Sequence, residues 1–262
     1  MVLKHRLITA VFGIPLLISL IYFGSIPLLI AVLAVFFLGL KEFIHMTENA
    51  GYFPLKMSMY IGGFLLIGES YIYKGEHGIF AIFIVFMLLI INLVLLNKIS
   101  LVTMAVSLLG VIYLSFLKYI LLLRDLPNGF LLIFMAFLLT WMVDTGAYFS
   151  GRYFGSRKLA PSISPNKTQE GAIGGIIVTM LTAVILHFTL IPIGVLNAII
   201  LGLLISILGQ IGDLFESLLK RSANVKDSGN LLPGHGGVLD RFDSILFTVP
   251  ITYYFISILK IF

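Results

Sequence analysis

The chain has 262 residues, 60% hydrophobic and 11% charged, against about 45–50% and about 25% in an ordinary soluble domain. The excess runs from end to end, which excludes a water-soluble globule and a disordered chain alike and predicts a polytopic membrane protein. The net charge of +5 implies no nucleic acid, because basic loops on the cytoplasmic side of a membrane give the same balance, and the absence of cysteine excludes disulfides, thiolate catalysis and Cys-ligated metals.

A spanning helix needs about 20 apolar residues. Nine stretches qualify: 7–23, 26–46, 57–73, 79–97, 101–123, 129–150, 171–190, 194–219 and 242–261. The expected fold is all-α: a polytopic integral membrane helix bundle of about nine transmembrane helices. It forms one membrane-embedded domain over 1–262, with N-terminal spans in 1–150 and the catalytic half in 140–262. The first stretch lacks a small-x-small cleavage site and the next apolar run follows at once, so it reads as a retained helix rather than a signal peptide. The breaks carry turn chemistry, as in Lys74-Gly75-Glu76-His77-Gly78 and Leu126-Pro127-Asn128-Gly129. With a cytoplasmic N-terminus, thirteen Lys and Arg fall on the cytoplasmic side and three outside, with Lys118 inside a span. That split satisfies the positive-inside rule. Two connections, 151–170 and 220–241, are long, polar and basic, and both fall on the cytoplasmic side.

Along the chain, polar residues interrupt the spans. Glu42 and His45 share a helix face at the cytoplasmic end of the second span. Two residues are too few for a metal site, and they read as interfacial. Glu69 lies within reach of Lys74, and Lys118 reads as a snorkelling residue. Thr140, Asp144, Tyr148 and Arg152 recur every four residues on one helix face. Asp144 either serves a functional cavity or pairs with Arg152 or Lys167, and the functional reading is preferred. Gly171, Gly174 and Gly175 read as close helix packing rather than ligand contact, and His187 as packing. The eighth span carries Ser206, Gln210, Asp213, Ser217 and Lys220 at spacings of four and three, a polar stripe flanked by Glu216. Hydrogen bonding between helices accounts for Ser206 and Gln210. It does not account for Asp213, because a carboxylate near the membrane is costly and marks a functional cavity.

The densest polar stretch is Ser217–Asp243, with Lys220, Arg221, Lys226 and Arg241 as cations and Asp227, Asp240 and Asp243 as anions. Within it, His235-Gly236-Gly237 offers glycines that let a backbone turn its N–H groups toward a phosphate. Carboxylates among cations make sense if a divalent cation bridges them to phosphates, and an oxygen-only donor set favours Mg²⁺ or Mn²⁺. In the loop 151–170, Ser164 and the run Lys167-Thr168-Gln169-Glu170-Gly171 lead into a helix start suited to phosphate.

The pattern Ser217-x-Leu219-Lys220-Arg221, four residues, Lys226-Asp227-x-Gly229, two residues, Leu232-Pro233-x-His235-Gly236-Gly237-Val238-x-Asp240-Arg241-Phe242-Asp243 resembles the full signature of the phosphatidate cytidylyltransferases, the CDP-diacylglycerol synthases. Lys167-Thr168-x-Glu170-Gly171 and Asp144 also resemble family features. The resemblance implies transfer of CMP from CTP to phosphatidate, giving CDP-diacylglycerol and pyrophosphate. It implies a Mg²⁺ site on Asp213 and Asp240, with K⁺ as a possible second ion. It further implies a homodimer in the cell (plasma or inner) membrane, with the site facing the cytoplasm. On this reading Lys167, Lys220, Arg221, Lys226 and Arg241 hold the triphosphate and the lipid headgroup. His235, Gly236 and Gly237 shape the phosphate pocket with Ser164, Thr168 and Ser217, and Asp144, Asp227 and Asp243 support the site or its metal. Two other readings are a CTP-dependent polyprenol kinase and a transporter. The transporter explains Asp144 and Asp213 but leaves the basic, glycine-bearing loop unexplained.

Overall fold

The computed structural model describes residues 2–96, 100–231 and 236–259. Among them the chain forms α1 (Val2–Phe23), α2 (Ser25–Asn49), α3 (Lys56–Tyr73), α4 (Gly78–Leu96), α5 (Leu101–Ser115), α6 (Lys118–Asp125) and α7 (Gly129–Phe154). Strands β1 (Lys158–Ala160) and β2 (Ser164–Thr168) follow, then α8 (Gln169–Thr189), α9 (Val195–Ser222), α10 (Leu239–Phe242) and α11 (Ile245–Ile258). The helical membrane architecture expected from composition is the one found. Among the described residues, six segments are long and apolar enough to cross a membrane: α2, α4, α5 with α6, α7, α8 and α9. The expected count of nine is not confirmed: α1, α3 and α11 are not among these six. At 14 residues, α11 is about 21 Å long, short of a bilayer core of about 30 Å. The span 101–123 is one segment in two helices, joined at Phe116 and Leu117, whose N–H groups bond back to Tyr113 and Leu114 in a tight turn.

The chain divides into two compact units. One comprises Met1–Asp125 and Leu219–Phe242, the other Leu126–Leu218 and Asp243–Phe262. In the first, Phe36, Phe43, Met59 and Leu114 are fully buried. The Phe36 ring fills the notch left by Gly63, where a Cβ would fall 1.8 Å from its Cζ. Arg124 donates to the carbonyls of Ile21 and Tyr22 at 2.9 and 3.0 Å, fastening α6 to the end of α1. Two expected placements change here. Lys74 pairs with Asp125 at 2.5 Å, while Glu69 accepts from the His77 N–H at 2.9 Å and from Ser70. The carboxylate thus satisfies a donor at the start of α4, a better use of a buried oxygen than a solvated ammonium. Lys118 is buried, with its ammonium 5.6 Å from the centre of the Tyr119 ring.

In the second unit α7 and α8 meet along small residues. A Cβ on Gly174 would come within 1.9 Å of Ser150 Oγ, and one on Gly175 within 2.9 Å of the Val143 carbonyl. The expected packing role of these glycines therefore holds. Helix α11 is fastened by Thr140 Oγ1 to Thr248 Oγ1 at 2.8 Å and by Ser244 Oγ to the Gly209 carbonyl at 3.0 Å. Ser206 is buried and bonds its own helix at Leu203.

Candidate active site

The loop 151–170 contains the antiparallel pair β1–β2, with Lys158 opposite Thr168 and Ala160 opposite Ser164, a short sheet that the all-α expectation did not include. The motif around Lys167 is built to present that lysine. Thr168 caps α8, its Oγ1 accepting from the Gly171 N–H at 3.1 Å. Glu170 accepts from the Ser156 N–H and hydroxyl at 3.0 and 2.7 Å and from the Arg157 N–H at 3.2 Å, tying the end of α7 to the start of α8. Gly171 must be small, because a Cβ there would sit 2.8 Å from the Ala147 carbonyl. Between these anchors Lys167 pairs with Asp213 of α9.

That pair faces a cavity of about 630 Å³ lined also by Asp144, Arg152, Ser164 and Gln210. Both members are partly solvated, with side chains 28% and 29% exposed. Gln210 spans α8 and α9, donating to the carbonyls of Ala172 and Ser206 at 3.3 and 3.0 Å. Arg152 donates to the Tyr148 hydroxyl at 3.0 Å. Asp144 lines the same cavity as Lys167 and Arg152. Four of the expected residues, Lys167, Asp213, Asp144 and Ser164, thus share one cavity, and Thr168 joins them at its edge.

In the first unit a second polar cluster forms around Asp240. Its Oδ1 accepts from Lys220 at 2.7 Å. Its Oδ2 accepts from the Ser228 N–H at 2.9 Å and the Gly237 N–H at 2.8 Å, and it shares with Glu42 Oε2 the single proton of the Ser228 hydroxyl, whose oxygen is 2.9 Å away. Burial pushes the Asp240 carboxyl up, but the Lys220 ammonium, the Gly237 N–H and Ser228 outweigh it and hold the group below its ordinary value. Gly236 adopts φ +82°, and a Cβ there would meet Asp240 Oδ2 at 2.7 Å. The glycines of this loop therefore admit protein carboxylates, and the Gly237 N–H is taken by one of them.

Arg221 donates to the Val225 carbonyl at 3.2 Å. Lys226, Asp227 and Arg241 are exposed, and Ser217 is buried. Asp243 accepts from the Ser244 N–H at 2.6 Å, turning the chain into α11. His235 lies outside the described residues.

Sequence reasoning missed Glu42. It is buried and accepts from Ser228 Oγ at 3.0 Å and from the Val238 and Leu239 N–H groups at 2.9 Å. A lone acid at a helix end carries no local signal of partners 186 to 197 positions away.

Among the described residues no group of three or more His, Asp or Glu is placed to hold a metal ion. Mg²⁺ is usually held by one or two carboxylates, waters and substrate phosphates rather than by an all-protein cage. Asp213, part-exposed on an open cavity beside further oxygen donors, fits such a ligand. Asp240 has Oδ2 occupied by its three donors, which leaves Oδ1, bonded to Lys220, as the oxygen that could be exchanged to a metal.

A family model described as the Cytidylyltransferase family matches residues 4–259. The chain is 36% identical to a phosphatidate cytidylyltransferase of Bacillus subtilis (strain 168), over 98% of both chains. It is 35% identical to a phosphatidate cytidylyltransferase of Synechocystis sp., over 97% of both. A protein of the same description from Staphylococcus haemolyticus is 43% identical over 59% of this chain and 60% of its own.

Proposed function

The chain belongs to the cytidylyltransferase family, and from that premise we propose how its polar residues carry the reaction. It is an integral membrane nucleotidyltransferase of phospholipid biosynthesis. It joins the CMP moiety of CTP to phosphatidate and releases pyrophosphate. The observation that carries this reading is the family match over nearly the whole chain, at identities above a third.

A phosphate oxygen of phosphatidate is already anionic, so it attacks the α-phosphorus of CTP without a strong general base. The bond to the β-phosphate oxygen breaks in line, and pyrophosphate leaves. The protein's contribution is positioning and neutralisation of charge. Lys167, Lys220, Arg221, Lys226 and Arg241 hold the triphosphate and the lipid phosphate, and His235, Gly236 and Gly237 shape the pocket. Mg²⁺, when bound, neutralises phosphate charge and orients the leaving group. The residues assigned to it are Asp213 and Asp240. What supports the assignment is that each carboxylate faces an ammonium in its own cluster, Lys167 for Asp213 and Lys220 for Asp240. Asp144, Asp227 and Asp243 support these positions. A second ion, K⁺, and a homodimer belong to the same proposal on the strength of the resemblance.

The acceptor tests this reading. With Mg²⁺ and CTP, phosphatidate should elicit pyrophosphate release, whereas diacylglycerol or a polyprenol should elicit none. Release with a polyprenol and not with phosphatidate would refute it.

The proposed orientation places the N-terminus and the loops 151–170 and 220–241 in the cytoplasm of a cell membrane. Its support is the thirteen-to-three division of Lys and Arg. Because the chain has no cysteine, single replacements at exposed sites report sidedness cleanly. Ser162→Cys and Ser222→Cys should resist an impermeant maleimide in intact cells, and Glu76→Cys should react. Reaction of Ser162→Cys and Ser222→Cys from opposite sides of the membrane would contradict it.

A further inference from the structure

Glu42 is a buried acid that the reaction, as described, leaves without a task. It stands near the end of α2, where an acid at a membrane surface needs only water. Instead its carboxylate is covered by the signature loop. Oε1 accepts from the Val238 N–H at 2.9 Å. Oε2 accepts from the Leu239 N–H at 2.9 Å and from Ser228 Oγ at 3.0 Å. The loop comes this close because two positions lack a side chain. A Cβ on Gly229 would lie 2.6 Å from Oε1, and one on Gly237 would lie 2.6 Å from Oε2. One turn earlier on α2, a Cβ on Gly39 would lie 3.2 Å from Leu114 Cδ2 and in ordinary contact with Leu239 Cγ at 3.6 Å. Leu239 is itself buried. Two glycines, two N–H groups and the shared Ser228 hydroxyl therefore converge on one carboxylate.

The link to the reaction runs through Ser228. Its hydroxyl lies 3.0 Å from Glu42 Oε2 and 2.9 Å from Asp240 Oδ2. Its own N–H donates to the same Asp240 oxygen at 2.9 Å. The Gly237 N–H, the third donor to that oxygen, immediately precedes the two N–H groups that Glu42 holds. We propose that Glu42 is a positioning residue, which fixes Ser228 and the backbone at 237–239 and so sets where Asp240 stands for transfer of CMP. This inference rests on the cytidylyltransferase reading. It requires a carboxylate in particular, because only a group with two acceptor oxygens and no donor serves two N–H groups and a hydroxyl. Glutamine has the same size, but its NH₂ would face an N–H.

The test compares purified native protein with Glu42→Gln and Ser228→Ala, with rates expressed per folded protein. Glu42→Gln should lower kcat by about 10- to 100-fold, the effect of losing hydrogen bonds to a charged group, while KM for CTP and phosphatidate stays within about threefold. Trypsin should cut after Arg221 or Lys226 faster in Glu42→Gln than in the native protein, because the loop has lost its tether. Ser228→Ala keeps the two backbone bonds to Glu42 and should show a smaller loss of kcat. If Glu42→Gln does not fold, Ser228→Ala decides the matter, and native kcat in that variant would overturn the proposal. Native kcat in Glu42→Gln, or a loss confined to thermal stability, would overturn it equally. If the native protein itself transfers no CMP, the functional reading fails instead, and unchanged trypsin cleavage in Glu42→Gln would separately refute the tether.

Discussion

Asp213→Asn is expected to cost on the order of 10³-fold or more in turnover while leaving the protein folded and extractable. The amide keeps the volume and one acceptor but removes the charge that faces Lys167 and, in the proposed reaction, the metal. The small effect on stability follows from exposure. With the two side chains 28% and 29% exposed, the pair is partly screened by water and contributes no more than about 1 kcal/mol. Turnover of purified protein with CTP, phosphatidate and Mg²⁺, measured beside its thermal unfolding in detergent, separates the two effects. Near-native turnover would remove Asp213 from the site.

Asp240→Asn should behave differently, although the sequence alone assigns both acids the same role. The Asp240 side chain is 5% exposed and that of Lys220 13%. Removing the carboxylate charge takes the ion-pair partner away from a part-buried ammonium and weakens the bonds from Ser228 and Gly237. Breaking one side of a buried pair costs about 3–5 kcal/mol, so Asp240→Asn should lose stability as well as turnover. Adding Lys220→Met removes that ammonium, and the double variant should recover part of the stability without recovering turnover. The pH dependence has a defined sign. Because the folded-state pKa of Asp240 lies below its ordinary value, its stabilisation is complete above the unfolded value of about 3.9. It fades as the pH falls through the lower folded value. The stability gap between native protein and Asp240→Asn should therefore be constant near neutrality and close only in strong acid. Equal unfolding midpoints at pH 7 would show that the Lys220–Asp240 pair adds nothing to stability.

The contrast between the two acids shows where a sequence stops being informative. Hydropathy located the apolar helices because burial in lipid depends on composition, and each span is long enough to average over local detail. The break at Phe116–Leu117 and the shortness of α11 depend on a few hydrogen bonds and left no such trace. The strands β1 and β2 fall in Lys158–Ala160 and Ser164–Thr168, polar runs too short for an alternating pattern. The signature marked Asp240, Gly236 and Gly237 as belonging to one site. It did not show that the Gly237 N–H serves Asp240, nor that Gly229 and Gly237 make room for Glu42. A glycine that admits a phosphate and one that admits a carboxylate look alike in sequence, and the partner of a buried acid is decided by packing across almost 200 positions. Lys74 illustrates the same point nearby. Glu69 is the closer acid in sequence, yet the ammonium reaches Asp125.

The fate of the phosphorus atoms of CTP tests the central claim most directly. With purified protein, phosphatidate and Mg²⁺, label at the α position should appear in the lipid, with pyrophosphate released in equal amount. Label at the γ position should leave entirely in pyrophosphate, and EDTA should stop both. Label from the γ position appearing in the lipid would contradict cytidylyl transfer and indicate a kinase.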